Sequence, residues 1–249
     1  MKSMSKSKSL LELILVTDDF IALSKPSGML SIPDRLQKDK INVLTLLKEQ
    51  FDSVFTVHRL DKDTSGVMLF ARTPEMHKEL NQLFEDRKII KIYHAIVEGT
   101  PANEEGTINA PIANDPQQSG KMRVFAKGKE AKTDYKVEDL YKGFSLVSAR
   151  IHTGRTHQVR VHMSFLGHPI VADPLYGNRT ELNIQDIKRG VKLGKFTDSV
   201  HPLISRTALH AYSLAFKHPY TGELIEVKSE HPKDIRATLN QLEKHKSRR

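Results

Sequence analysis

His58-Arg59-Leu60-Asp61-Lys62-Asp63-Thr64-Ser65-Gly66 places two carboxylates, two cations, an imidazole and two hydroxyls in nine consecutive positions. Apolar runs flank it, Phe55 to Val57 before and Val67 to Ala71 after, and both read as strands. The polar run is therefore a loop carried by a sheet, where function concentrates. On residue types alone a solvated turn is the more ordinary reading, with Asp63 or Thr64 satisfying nearby backbone groups. Only the rest of the chain lifts it above that.

Working outward, Leu13 to Val16 and Phe20 to Leu23 read as a strand pair around the turn Thr17-Asp18-Asp19, and Lys25-Pro26-Ser27-Gly28 breaks the pattern. Asn42 can cap a short helix carrying Val43, Leu44, Leu47 and Phe51. Thr73-Pro74-Glu75 is a helix start, followed by Met76, Leu80, Leu83 and Phe84 at helical spacing. Ile90, Ile92, His94 and Ile96 alternate with Lys91, Tyr93, Ala95 and Val97, which predicts a strand running to Gly99. Further strands are expected at Met122 to Ala126, Thr133 to Leu140, Phe144 to Ile151, Ala208 to Phe216 and Leu224 to Lys228. Helices are expected from Gly154-Arg155-Thr156 to near Gly167 and around Ile235, Leu239 and Leu242. Residues 177–207 read as a basic surface excursion with room for a short helix. The pattern is α+β with a mixed, mainly antiparallel sheet flanked by helices and loops.

The chain has 249 residues, 38% hydrophobic and 28% charged, a balance that suits one soluble globular domain with a sizeable core. We expect a basic flexible segment over 1–10, one folded domain over 11–243 and a basic tail over 244–249. No apolar run approaches the ~20 residues needed to span a bilayer, and the amino end is polar, so a cytoplasmic protein without a membrane partner is expected. The absence of cysteine excludes disulfides, thiolate nucleophiles and Cys-ligated zinc. A net charge of +9 favours a polyanionic partner. Much of it sits on Lys2, Lys6 and Lys8 and on Lys244, Lys246, Arg248 and Arg249, which leaves the body only a small positive excess. Those ends read most simply as solubilising.

A second cluster is Thr153-Gly154-Arg155-Thr156-His157-Gln158-Val159-Arg160-Val161-His162-Met163. On a helix, Arg160 shares a face with His157 and Ser164, while Val159, Met163 and Leu166 make the apolar face. A guanidinium on such a helix keeps a neighbouring carboxylate ionised. The ordinary alternative is a basic surface helix. His152, His157, His162 and His168 invite a zinc reading, but the five-residue steps between the first three rotate each side chain by about 140° from the last on a helix, so they do not converge and no metal is expected. Thr64-Ser65-Gly66 lacks the G-x-S-x-G frame, and no phosphate loop or dinucleotide fingerprint is present.

The loop His58 to Gly66 resembles the H-R-L-D-x-x-T-S-G signature of the RluA-type pseudouridine synthases, and Gly154 to His162 resembles their second signature. Lys91-Ile92-Tyr93 is similar to the family's K-x-Y element. Lys25-Pro26-Ser27-Gly28, Gly167-His168-Pro169-Ile170 with Asp173 and Tyr176-Gly177, and Leu209-His210-Ala211 fit in the family's order. Six ordered matches, from about Leu11 to about Lys228, outweigh the solvated-turn reading.

The resemblance implies the pseudouridine-synthase fold and isomerisation of uridine in RNA, detaching uracil from ribose at N1 and rejoining it through C5 without a cofactor. It implies that Asp61 is the catalytic carboxylate, acting at C1′, at C6 or in glycal formation, and the residues leave these three open. Arg160 matches the arginine that compensates its charge, and Tyr93 the tyrosine that lies against the target base. Arg59 resembles the arginine that enters the RNA stack where the nucleotide leaves. Arg155, His157 and Gln158 are candidate substrate-binding residues, with orientation of the second loop an equal reading for His157 and Gln158. Asp63 falls on a variable position of the signature and takes a loop role. Many relatives carry an amino-terminal S4-like module, and a stand-alone member without it is expected here. Target selection then falls to the body, to the basic excursion around Lys188, Arg189, Lys192 and Lys195, and to the basic ends.

The expected substrate is ribosomal RNA, with transfer RNA next, and the expected protein is a monomer with no obligatory protein partner. A non-catalytic RNA-binding protein retaining the scaffold is the alternative from another class. A carboxylate-dependent nucleoside glycosidase is a third, and it would release free uracil.

Overall fold

The computed structural model describes residues 10–34, 40–188 and 201–246. In chain order, β1 (Glu12–Val16), β2 (Phe20–Lys25), α1 (Val43–Lys48), β3 (Phe55–Thr56), β4 (Ser65–Ala71) and α2 (Pro74–Glu85) come first. They are followed by β5 (Ile90–Glu98), β6 (Glu105–Asn109), β7 (Ile112–Asn114), β8 (Met122–Val124), β9 (Lys132–Tyr141) and β10 (Phe144–Ile151). The remainder is α3 (Gln158–Phe165), α4 (Ile184–Ile187), β11 (Leu209–Lys217), β12 (Leu224–Lys228) and α5 (Lys233–Lys244). The class is α+β with mainly antiparallel pairing and few helices, as the sequence pattern predicts.

The described residues fall into two compact units, one from residues up to Ile89 plus Leu214–Ser229, the other from Ile90–Ser213 plus the chain from Glu230 onward. In the first, β2 lies between β1 and β4, and β3 borders β4 on its other side. β4 is buried along its whole length, so it reads as a continuous apolar run and not an alternating one. Phe20, Ala22, Val67, Leu69 and Ala71 face α2 residues Met76 and Leu80 in one core. Thr73 caps α2 through its hydroxyl, which accepts the Met76 N–H, and Pro74 takes the first helical position.

In the second unit the strand order is β5-β10-β9-β6, all antiparallel. Its core gathers Ala95, Val97, Val147 and Ala149 with Val159 and Met163 of α3 and Ile235 and Leu242 of α5. The short pair β7-β8 stands apart from these strands. β6, β7 and the late start of α3 differ from the sequence expectation. Residues 100–121 are rich in Gly, Pro, Asn and Asp, which hides short strands, and Gly154 to His157 form a turn before the helix begins at Gln158. Lys246 follows α5 and pairs with Asp139 and Glu243. Lys188 ends α4, whereas Arg189, Lys192, Lys195, Lys2, Lys6, Lys8, Arg248 and Arg249 lie outside the described residues. No described helix is long and apolar enough to cross a membrane.

Candidate active site

The β2–β4 register sets Lys25 opposite Gly66, which brings the Lys25-Pro26-Ser27-Gly28 turn beside the Asp61 loop. Lys25 is fully buried, and its Nζ donates to the carbonyls of Pro26, Met29 and Lys62 at 2.8–2.9 Å. The Gly28 N–H donates to the same Lys62 carbonyl, from a backbone at φ +81° that only glycine adopts without strain. Ser31 Oγ accepts the Leu60 N–H and donates to the Leu60 carbonyl, and Ser27 Oγ donates to Asp63. A Thr64 N–H to Asp61 C=O bond closes the turn. Asp61 is thus a half-buried residue whose neighbours on both sides are pinned through their backbone. Thr64 and Ser65 are buried at the loop's end, while Arg59 and Asp63 face solvent.

His58 has a different task. β3 stops after two residues, and His58 Nε2 then accepts the Leu69 N–H at 2.9 Å in place of the lost ladder bond. Its ring stacks on Phe84, with centroids 4.9 Å apart.

The other five candidates lie in the second unit. Tyr93 is half-buried on β5 opposite Ala149, at the margin of the core. Arg160 is almost fully buried on α3, and its Nε and Nη2 close on the Asp173 carboxylate at 2.6 and 2.8 Å. That bidentate pair is the strong form of the charge-assisted bond. Asp173 Oδ1 also accepts the N–H groups of Leu175 and Tyr176, which wraps the chain around the carboxylate and lays the Tyr176 ring 5.0 Å from the guanidinium carbon. Gly177 completes the wrap: a Cβ there would sit 2.7 Å from the Asp173 carbonyl oxygen.

Gln158 is buried with its amide fully engaged. Its oxygen accepts from Thr153 Oγ1 and the Arg155 N–H, and its nitrogen donates to the Lys132 carbonyl and Thr133 Oγ1. These bonds tie the turn before α3 to the start of β9. His157, at φ +57°, opens α3 without a side-chain cap and bonds Tyr176 Oη through Nδ1 at 2.9 Å. Arg155 Nε donates to the Glu130 carbonyl. His162 is buried between Thr133 Oγ1 and the Ala110 carbonyl, and burial pushes its pKa down.

Sequence reasoning gave Lys25, Ser31 and Asp173 no task. Lysine is ordinarily a surface residue, and nothing local marks Lys25 as buried. The signals were the ordered matches containing Lys25 and Asp173 themselves.

A family model described as RNA pseudouridylate synthase matches residues 19–165. The chain is 31% identical over 243 residues to YlyB of Bacillus subtilis, described as an uncharacterized RNA pseudouridine synthase, covering 94% of this chain and 74% of that protein. It is 35% identical over 237 residues to ribosomal large subunit pseudouridine synthase D of Pseudomonas aeruginosa, covering 93% and 72%. Among solved structures, human RNA pseudouridylate synthase domain containing 4 shares the fold with TM-score 0.72 at 24% identity, over 93% of each chain.

Proposed function

The chain belongs to the RNA pseudouridylate synthase family, isomerases acting on RNA, and from that premise we propose that it converts uridine to pseudouridine in ribosomal RNA with Asp61 as the catalytic carboxylate. The observation that carries the residue assignment is the loop itself. Lys25, Gly28, Ser27 and Ser31 all bond the backbone of residues 60, 62 and 63, and of the two carboxylates on that stretch Asp61 is half-buried while Asp63 faces solvent. A solvated turn has no need of a buried ammonium.

In this reading the isomerisation needs no redox partner or donated group. Asp61 acts in the ionised form, Tyr93 supplies an aromatic face for the base, and Arg160 is the compensating cation. Asp173 holds the Arg160 guanidinium in a bidentate pair that fixes its orientation. Arg59, exposed on the loop, fills the stack that the extruded nucleotide leaves, offsetting a few kcal/mol of unstacking. The protein works as a cytoplasmic monomer. Ribosomal RNA is favoured over transfer RNA because relatives such as the Pseudomonas aeruginosa protein are named for the large ribosomal subunit.

Deleting the gene and mapping pseudouridine across total RNA tests the substrate. Loss confined to ribosomal RNA is expected, and loss confined to transfer RNA, or none, overturns it. Chromatography of the purified reaction for free uracil separates isomerisation from glycosidic release.

A further inference from the structure

Between the β7–β8 pair and the turn before α3 lies a cavity of about 460 Å³, within the range of ligand sites. Its walls carry Lys127, Lys129 and Arg155 with the Thr156 hydroxyl, and no carboxylate lines it. Neither lysine makes an ion pair among the described residues, and the Arg155 side chain bonds the Glu130 carbonyl through Nε. Lys127 and Lys129 are exposed and Arg155 is half-buried, so all three cations are open to an anion that enters from solvent.

The backbone builds this wall deliberately. Ile112 and Lys129 exchange both N–H to C=O bonds, at 2.9 and 2.8 Å, while Ile112 also pairs with Val124 on its other side. The chain from Phe125 to Lys129 therefore folds back over β7, closed by Gly128 N–H to Phe125 C=O. Gly128 makes that close approach feasible, because a Cβ there would lie 2.6 Å from the Ile112 carbonyl carbon. The opposite wall is held by Arg155 N–H on Gln158 and by Tyr176 Oη, which accepts the Met122 N–H and bonds His157. The cations are thus mounted on pinned backbone on both sides.

We infer that this cavity seats a backbone phosphate of the RNA, with Lys127, Lys129 and Arg155 as its ligands. The inference rests on the chain acting on RNA, and it deepens that reading by naming a contact that grips the strand without reading its sequence. Guanidinium and ammonium groups suit a phosphodiester, which one cavity can neutralise with little reorganisation.

The test compares the wild-type protein with Lys127→Gln/Lys129→Gln, measuring affinity for a labelled 20-nucleotide single-stranded RNA from 50 to 300 mM salt. Loss of one phosphate contact makes the slope of log K against log salt shallower by about 0.7 to 1. Lys127→Arg/Lys129→Arg restores the slope, and Gly128→Ala, which keeps every charge but not the wall, weakens binding like the Gln pair. A slope that the Gln pair leaves unchanged overturns the inference. Inorganic phosphate titrated alone gives the other arm: saturable binding lost in the Gln pair, with RNA affinity unmoved, assigns the cavity to a small free anion and overturns the RNA assignment. Pseudouridine formation measured in parallel separates this from the proposed activity. The Gln pair keeps kcat at saturating RNA with a raised KM, and a wild-type protein that makes no pseudouridine refutes the activity whatever the slopes show.

Discussion

Lys25→Met isolates what holds the Asp61 loop. Methionine matches the lysine stem and removes the ammonium, so the carbonyls of Pro26, Met29 and Lys62 lose a common donor. Each bond from a charged donor contributes about 1.5–3 kcal/mol, and an orphaned buried carbonyl costs about 1–3. Burying the ammonium itself costs several kcal/mol, which the variant recovers, and Lys62 is exposed, so water reaches its carbonyl once the loop loosens. The net loss is about 2–4 kcal/mol, or roughly 5–15 °C in Tm for a chain of this size. Calorimetry reads the Tm. Single-turnover kinetics at saturating RNA read the loop, where a fall in rate without loss of RNA affinity is expected. A variant that melts with the wild type and keeps its rate would refute the idea that Lys25 organises the catalytic loop.

Three further outcomes follow from the second unit. Asp173→Asn keeps the acceptor for the Leu175 and Tyr176 N–H groups but strands Arg160 in a buried site, a loss of about 3–5 kcal/mol in denaturant unfolding; wild-type stability would show the ion pair to be dispensable. His94 stacks on Tyr212 and bonds His231, and burial followed by the facing charges of His231 and His210 pushes its pKa down to about 4. Glu230 and Arg236 act on His231 in opposite directions, and burial lowers His231 as well. The unfolded chain protonates this residue first, near pH 6.5, so stability falls as pH drops from about 6.5 to about 4, on the order of 3 kcal/mol from His94. In His94→Gln that slope flattens, and an identical pH profile would count against the cluster. Gln158→Leu orphans partners on Thr153, Lys132 and Thr133, costing about 1–3 kcal/mol in thermal melts, and a neutral effect would return Gln158 to the RNA-contact reading.

Features legible in the chain were those with a local cause. The Thr73-Pro74-Glu75 start gives α2, and the period-two alternation from Ile90 gives β5. Asn42 caps α1 as read, its side chain accepting the Thr45 N–H. The start of α3 was read too early because Gly154-Arg155-Thr156 carries helix-entry chemistry, yet His157 takes a left-handed backbone that ends the turn one residue before Gln158. Partnerships across sequence were the least legible. Arg160 meets Asp173 thirteen positions on, and Lys25 meets Lys62 across thirty-seven, through a strand register that no local pattern encodes. The signature singles out Asp61, but the bonds from Lys25, Gly28, Ser27 and Ser31 that pin its neighbours come from residues outside that signature.

Asp61→Asn tests the central claim most directly, since it removes the charge and keeps the volume. Wild-type protein and variant are incubated with ribosomal RNA, and pseudouridine is read by mass spectrometry or by reverse-transcription stops after carbodiimide treatment. The account predicts no product from the variant while RNA affinity stays within a few-fold. Product formed at the wild-type rate by Asp61→Asn contradicts it.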